Sequence, residues 1–369
     1  MEDEGAGRSI RVQTVDRRRA ALIEALGAIS PGRPLRDGLD RILQANMGAL
    51  ILVGDGPEVL SICSGGFLLD AEFSPQRLSE LAKMDGAIIL AADASRIARA
   101  NVHLVPSPHV PTAETGTRHR TAERVARSID VPVIAVSEDL SVITLYRSDF
   151  KHVLESVARL LGRANQALST LERYRDRLDS VTSALTASEV EDLVTVRDVV
   201  TVLQRAEMVR RIAEEIEGYV VELGTDGRLV LLQLEELMAG VEDERRMVVR
   251  DYLPDGDPRR ADDVVATLSV IATDRLLDPS EVASLLDPET GSDLEAGLQP
   301  RGFRLLSRIP RISPVIVTAM VERFGSLQKV MRSEVEDLAA LSAVDEATAR
   351  TVKDGLNRLA ESSIFDRYT

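Results

Sequence analysis

The sequence predicts an α/β domain with a mixed sheet flanked by helices, followed by an all-helical spine and a small carboxyl-terminal domain of short helices. Three observations carry this. Short apolar runs alternate with amphipathic stretches as far as residue 150. From Lys151 the apolar residues take helical spacing, at Val153, Val157, Leu160, Leu161, Ala164, Leu168 and Leu171. From Arg301 the helical segments shorten and are joined by tight turns. The expected domains are therefore 1–150, 151–300 and 301–369.

In the first domain an amphipathic helix, Arg18 to Ile29, stops at Ser30-Pro31-Gly32, and a second, Leu35 to Asn46, leads into a strand from Ala49 to Val53. Gly54-Asp55-Gly56-Pro57 turns the chain into an expected strand from Val59 to Cys63. Ser74-Pro75 supplies an N-cap followed by proline at the first helical position, so a helix is expected to about Met84. Then come an apolar strand Ala87 to Ala91, a strand near His103 to Val105, and a loop marked by Pro106, Pro108 and Pro111. A helix Thr117 to Ser128 and strands Val131 to Val136 and Val142 to Tyr146 complete the domain. In the spine, Ser188 with Glu191 is expected to cap a second long helix, Gly224-Thr225-Asp226-Gly227 to break it, Pro254 to Pro258 to form a linker, and Asp278-Pro279 to start another helix. The last domain reads as helices Pro314 to Phe324, Leu327 to Met331, Val335 to Leu341 and Glu346 to Glu361.

Composition excludes several function classes. No apolar run approaches the roughly 18 residues of a membrane span; the densest, Ala49 to Val53, Ala87 to Ala92 and Leu229 to Leu232, stop within a strand's length. The amino terminus has no apolar core behind its charges, and a lone Cys63 forms no internal disulfide, so a reducing cytoplasm is expected. Net charges of −3, −14 and +2 on the three segments put nearly all of the −15 in the middle. A polyanion such as DNA is repelled there and can be met only at the carboxyl end.

Two places in the first domain carry chemistry. In Gly116-Thr117-Arg118-His119-Arg120-Thr121 the cations occupy the first turn of a helix, where the macrodipole already contributes positive charge, so an anion is expected. Guanidinium forks, an imidazole, two hydroxyls and free N–H groups suit a polyphosphate. The competing reading is a solvated basic turn with the arginines paired to Glu114 and Glu123. Asp85-Gly86-Ala87 lies between a helix end and a buried strand. It is either a plain turn or a carboxylate that can hold a divalent cation beside a nucleotide. His103, His109 and His152 share no zinc-like spacing and read as structural.

Together Asp85-Gly86-Ala87 and Gly116-Thr117-Arg118-His119-Arg120-Thr121 resemble the paired signature of the diadenylate cyclases. The order of cyclase domain, helical spine and helix-hairpin-helix tail is similar, over essentially the whole chain, to the bacterial DNA-integrity scanning family. The resemblance implies condensation of two ATP into cyclic di-AMP with Mg2+ or Mn2+, a homo-octamer, no membrane, and a role as a second-messenger enzyme in the response to DNA damage. It implies that Asp85 holds metal and helps deprotonate the attacking hydroxyl, and that Gly86 and Ala87 lie against the nucleotide. Leu104 and Ser137 stand where the family lines its adenine pocket. Thr117, Arg118, His119, Arg120 and Thr121 match the phosphate-binding run, with His119 as a donor to phosphate. The tail resembles a tandem helix-hairpin-helix module for branched DNA, at Ile309-Pro310-Arg311-Ile312 and Leu341-Ser342-Ala343-Val344. Glycines usual in such hairpins are replaced by Arg311 and Ser313 in the first and by Ala343 and Asp345 in the second. Two other readings keep the phosphate site without the chemistry: a DNA-branch-binding scaffold whose nucleotide domain is only a sensor, and a nucleotide-binding oligomer without turnover.

Overall fold

The computed structural model describes residues 21–138, 140–287 and 293–366. Residues 18–20 of the first expected helix, and the amino-terminal stretch read for a signal segment, lie outside them. The chain divides into two compact units, Met1–Gln166 with Ile216–Leu232 and Ala167–Glu215 with Gln233–Thr369.

The elements of the first 153 residues are α1 (21–28), α2 (Pro34–Gln44), β1 (Ala49–Val53), α3 (Pro57–Ser61), β2 (Cys63–Ser64), β3 (Phe67–Glu72), α4 (Pro75–Leu81), β4 (Ala87–Leu90), β5 (Arg96–Leu104), α5 (Thr117–Ser128), β6 (Val133–Ser137), β7 (Val142–Arg147) and β8 (Phe150–Val153). The strands form one mixed sheet in the order β2-β5-β4-β1-β6-β7-β8, with β3 also paired to β5. β1 and β4 are parallel, and the other pairs are antiparallel. Alternation along the central strands feeds two apolar layers. Ala49 and Ile51 face Leu26, Leu39, Ile42 and Leu78 from α1, α2 and α4, while Leu50 and Leu52 face Ala122, Val125 and Ala126 of α5. The sheet is thus covered on both sides, as expected for an α/β domain with a mixed sheet.

Several local expectations are corrected. Val59 to Cys63 is not a strand: Pro57 follows the extended Gly56, fixes a helical first residue and starts α3, leaving only Cys63–Ser64 in the sheet. The strand near His103 to Val105 is the end of the longer β5, and Val105 lies beyond it. Residues 150–153 do not begin the helical region. They form β8, which pairs Tyr146 with Lys151 and Leu145 with His152. Ser188 does not cap a second helix, because α6 (Val157–Glu191) runs through it. The next helix, α7 (Val196–Leu223), begins at a capping box in which the Thr195 N–H donates to Asp198 Oδ2 at 2.9 Å and the Asp198 N–H donates back to Thr195 Oγ1 at 3.4 Å.

Beyond a 3-10 turn at Gly224–Gly227, the helices are α8 (Arg228–Met238), α9 (Val241–Tyr252), α10 (Pro258–Val270), α11 (Thr273–Leu276), α12 (Pro279–Leu286), α13 (Phe303–Ser307), α14 (Pro314–Phe324), α15 (Leu327–Arg332), α16 (Val335–Ala339) and α17 (Glu346–Asp366). The last five share an apolar cluster that takes in both turn residues, Ile309 and Val344. Within the same unit, the buried Arg304 of α13 pairs with Glu189 of α6 at 2.7 Å and with Glu244 of α9 at 2.8 Å. The Asp251 carboxylate accepts the first N–H groups of α13, from Gly302 and Phe303 at 2.7 Å each and from Arg304 at 3.2 Å. Among the described residues no helix is long and apolar enough to cross a membrane.

Candidate functional site

The register of the sheet brings the separated motif segments to one end. Leu50 of β1 is level with Ala87 of β4, so Gly48 and Asp85-Gly86 lie just beyond the same edge. Ala49 is opposite Val136, which puts Ser137 next to Gly48. Ala87 is opposite Val102, so the chain of β5 reaches that edge at Leu104. The guanidinium of Arg118, at the start of α5, lies over Gly48. A Cβ placed there would overlap its Nη1 and stand 2.8 Å from its Cζ. Gly48 is therefore part of the site, although no motif in the sequence points to it. Its only signal is a glycine directly before a buried strand.

Asp85 is exposed, and its backbone carbonyl accepts the Asn101 Nδ2–H at 2.6 Å. Gly86 has φ +92°, and an added Cβ would stand 2.9 Å from Asn101 C and Val102 O. Its glycine character is thus required by the sheet itself, apart from any nucleotide. Ala87 is fully buried between β1 and β5. Leu104 belongs to the α5-side core with Ala122 and Val125. Ser137 closes β6, and its Oγ accepts the Leu140 N–H at 3.3 Å.

Helix α5 starts at Gly116, which offers no side-chain cap, so its first N–H groups keep no local partner from that residue. Thr117, Arg118 and Arg120 are exposed, and His119 and Thr121 are partly so. The Thr121 hydroxyl donates to the Thr117 carbonyl at 2.9 Å. The pairing of the arginines with Glu114 and Glu123, on which the competing reading of this turn rests, does not occur. Arg120 donates to the backbone carbonyls of Thr115 at 3.1 Å and Glu114 at 3.4 Å. Glu123 instead holds Arg127 at 2.9 Å and accepts from the Thr112 hydroxyl and the Ala113 N–H, bracing the loop before α5. Among the described residues, no carboxylate forms an ion pair with Arg118 or Arg120.

Glu114 has other partners. Its Oε1 accepts the Tyr146 hydroxyl at 3.0 Å and lies 2.5 Å from Lys151 Nζ, while Tyr146 Oη is 2.8 Å from His119 Nδ1. Burial raises the Glu114 carboxyl, but the bonds from Lys151 and Tyr146 outweigh it and leave the group below its ordinary range. Burial, then the bond to Glu114 and the charges of Glu114 and Glu123, push the Tyr146 hydroxyl far up. For His119 burial is again the largest influence; with Lys151 and Arg118 it outweighs Glu114 and holds the imidazole below its ordinary value. Sequence reasoning does not reach Lys151, because it lies on the unexpected strand β8, nor Tyr146, whose strand is expected but whose contacts to Glu114 and His119 are set by the fold. Of the remaining histidines, His152 Nε2 meets Glu222 Oε2 at 2.8 Å, and His103 and His109 are exposed.

Among the described residues no group of three or more His, Cys, Asp or Glu is placed to hold a metal ion. A single exposed carboxylate nevertheless fits the habit of Mg2+, which takes one or two carboxylates and completes its shell with phosphate oxygens and water.

In the tail, Arg311 takes φ +69°, the left-handed conformation for which hairpins use glycine. Ser313 caps α14 through the Ile316 N–H at 3.4 Å. In the second hairpin the Asp345 carboxylate accepts the Thr348 N–H at 2.8 Å, so this helix start already has an anion of its own.

Residues 36–150 match a family described as DisA bacterial checkpoint controller nucleotide-binding, 154–294 its linker region, and 303–358 a SAM-like helix-hairpin-helix tandem. The DNA integrity scanning protein DisA of Frankia alni is 56% identical over 345 residues, covering 93% of this chain and 96% of that one. Those of Streptomyces coelicolor and Kineococcus radiotolerans are each 53% identical over 351 residues, covering 93% and 94% of this chain and 93% and 97% of theirs. With a nucleotide-binding domain, a helical linker and a hairpin tandem in that order, the chain belongs to the family of DNA integrity scanning proteins, DisA.

Proposed function

We propose that the chain is a diadenylate cyclase, a nucleotidyltransferase that condenses two ATP into cyclic di-AMP and releases two pyrophosphates. The observation that supports it most strongly is the common sheet end, where Asp85-Gly86 and the Arg118 guanidinium at the start of α5 flank β1. In each half of the reaction, the 3′-oxygen of one ATP bonds to the α-phosphorus of the other. The bond from that phosphorus to the bridging oxygen breaks, pyrophosphate leaves, and the hydroxyl proton passes to Asp85.

Each residue has a part in this. Arg118 and Arg120, with the amino end of α5 and the Thr117 and Thr121 hydroxyls, hold the triphosphate and offset charge growing on the leaving pyrophosphate. Asp85, with phosphate oxygens, would hold Mg2+ or Mn2+, which neutralises charge and lowers the pKa of the ribose hydroxyl. Leu104 and Ser137 line the adenine side. The product is symmetric, and one pocket cannot make both bonds. Two copies facing each other across a twofold axis place both hydroxyls in line, and a homo-octamer contains such pairs.

The test is incubation of the purified chain with ATP and Mg2+ or Mn2+, with mass analysis of products. Cyclic di-AMP is expected from the native chain. Asp85→Asn should remove it while ATP affinity stays within a few-fold; unchanged synthesis by the variant refutes the role of Asp85. ATP binding without any ring product by the native chain would favour the sensor reading.

Branched DNA bound at the tail is proposed to modulate the cyclase. The left-handed turn at Arg311 favours the first hairpin as the phosphate-binding one, since its backbone has the shape the missing glycine would provide.

A further inference from the structure

The chain Lys151–Glu114–Tyr146–His119 has a direction. Tyr146 has one proton to donate, and its oxygen lies 3.0 Å from Glu114 Oε1 and 2.8 Å from His119 Nδ1. Glu114 is ionised beside Lys151 Nζ at 2.5 Å and has no proton to give, so the tyrosine proton must point to it. The remaining contact, at Nδ1, is then satisfied only if the imidazole donates. A neutral imidazole has one N–H, so its other nitrogen is an acceptor.

We propose that Tyr146, Glu114 and Lys151 are positioning residues that fix the proton of His119 on Nδ1, so that Nε2 enters the nucleotide site unprotonated and must take up a proton before it can donate to a phosphate. This deepens the cyclase reading and rests on it only for the nature of the ligand. It also changes the part expected for His119 from a ready donor to a conditional one.

The surroundings set the sign. The groups that face His119 are Glu114 from the preceding loop, Lys151 from β8, Tyr146 from β7 and Arg118 from its own helix, while Glu123 acts on Tyr146. Burial and the two cations keep the free imidazole neutral at physiological pH. An incoming triphosphate reverses this by placing negative charge between Arg118 and Arg120, which raises the imidazole in the complex. Binding is then coupled to proton uptake. Affinity is greatest below the free-state value of His119 and weakens as pH rises above it, by up to about tenfold per unit.

Two measurements on the full chain test this. Nitrogen-15 NMR of histidine-labelled protein without nucleotide, with His119 assigned by His119→Gln, should show a protonated Nδ1 and a bare Nε2. Tyr146→Phe removes the acceptor of the Nδ1 proton and should shift the ring toward a tautomer mixture; Glu114→Ala, which removes the acceptor of the tyrosine proton, should do the same if the first variant folds poorly. An Nε2–H tautomer in the native chain, or a native-like ring in a folded variant, overturns the inference. In the second measurement, calorimetry of Mg2+-3′-deoxy-ATP, which cannot cyclise, is run in buffers of differing ionisation enthalpy from pH 6 to 8. Native protein should take up protons on binding the nucleotide, and Tyr146→Phe distinctly fewer. Equal affinity loss at every pH would mean that Tyr146 is only structural, and would also overturn the inference. If the analogue does not bind at all, the cyclase reading falls, and the NMR result still decides the relay.

Discussion

At Gly48 and Gly86 single atoms decide what the site can hold. Arg118 crosses Gly48 where a side chain would stand. Since the displaced group is the end of a flexible side chain, Gly48→Ala should leave folding nearly unchanged, within about 0.5 kcal/mol, yet turn the guanidinium aside. ATP affinity is expected to fall about tenfold, less than the loss of up to about a hundredfold for Arg118→Ala, which removes a charged hydrogen bond of about 1.5–3 kcal/mol. Titration calorimetry beside thermal unfolding separates the two effects; a Gly48→Ala protein with native affinity would remove Gly48 from the site. Gly86 behaves oppositely. Its φ of +92° and the backbone of Asn101 and Val102 leave no place for a Cβ, so Gly86→Ala should destabilise the chain without any nucleotide, by about 1–3 kcal/mol. Thermal unfolding of the apo-protein checks it. The contrast marks what the sequence makes legible. Asp85 and the Arg118-to-Thr121 run stand out as candidates because charge at a helix start and a carboxylate before a strand are local signals, and their pairing resembles a family signature. Gly48 is silent because its function is the absence of atoms, and Tyr146 and Lys151 are silent because their meaning depends on which strand pairs with which.

Elements are legible where local signals and tertiary packing agree. Pro314–Phe324 carries its own cap and proline, ends at Gly325 in the left-handed region, and is found where expected. Strand β3 escapes the sequence pattern because its residues Phe67, Leu68 and Leu69 are exposed and their run has no alternation; it is held by pairing to β5 rather than by burial. Strand β8 is hidden because Val153 also fits the helical spacing that follows. Helix α13 is a short element whose start depends on another. Asp251 closes its first N–H groups, and burial together with the charge of Glu189 pushes that carboxyl up to about 7, against the pull of the three N–H bonds. A carboxyl raised in the folded state favours the protonated form there. Its contribution is therefore full below the unfolded value of 3.8 and is lost as pH rises through about 7. Asp251→Asn does not titrate. The difference in melting temperature, native minus Asp251→Asn, should shrink steadily from pH 4.5 to 7 and then level off; a difference that grows over that range would show the ionised form to be the stabilising one.

For the whole molecule, charge distribution and tail geometry together limit how DNA can be held. The segment 151–300 carries −14 and repels a polyanion, whereas 301–369 carries only +2. So weak a charge excess cannot bind by attraction at large, and local geometry must supply the rest. The two hairpins differ in this respect. Arg311 places a guanidinium on a turn of the required shape, while Asp345 sets a carboxylate on the amino end of α17. On the proposed reading, Arg311→Gly keeps the backbone shape, since glycine accepts φ +69° freely, and removes only the charge. Branched-DNA binding by the full chain, followed by fluorescence anisotropy across a salt series, should weaken. The slope of log K against log salt should become shallower by about 0.9, because one phosphate is no longer neutralised. Asp345→Asn keeps an acceptor for the Thr348 N–H yet removes the repelling charge, and should tighten binding by a few-fold without adding a new bond to the DNA. If Arg311→Gly leaves both affinity and slope at native values, the first hairpin does not meet the phosphates, and the proposed modulation by DNA loses its support at this turn.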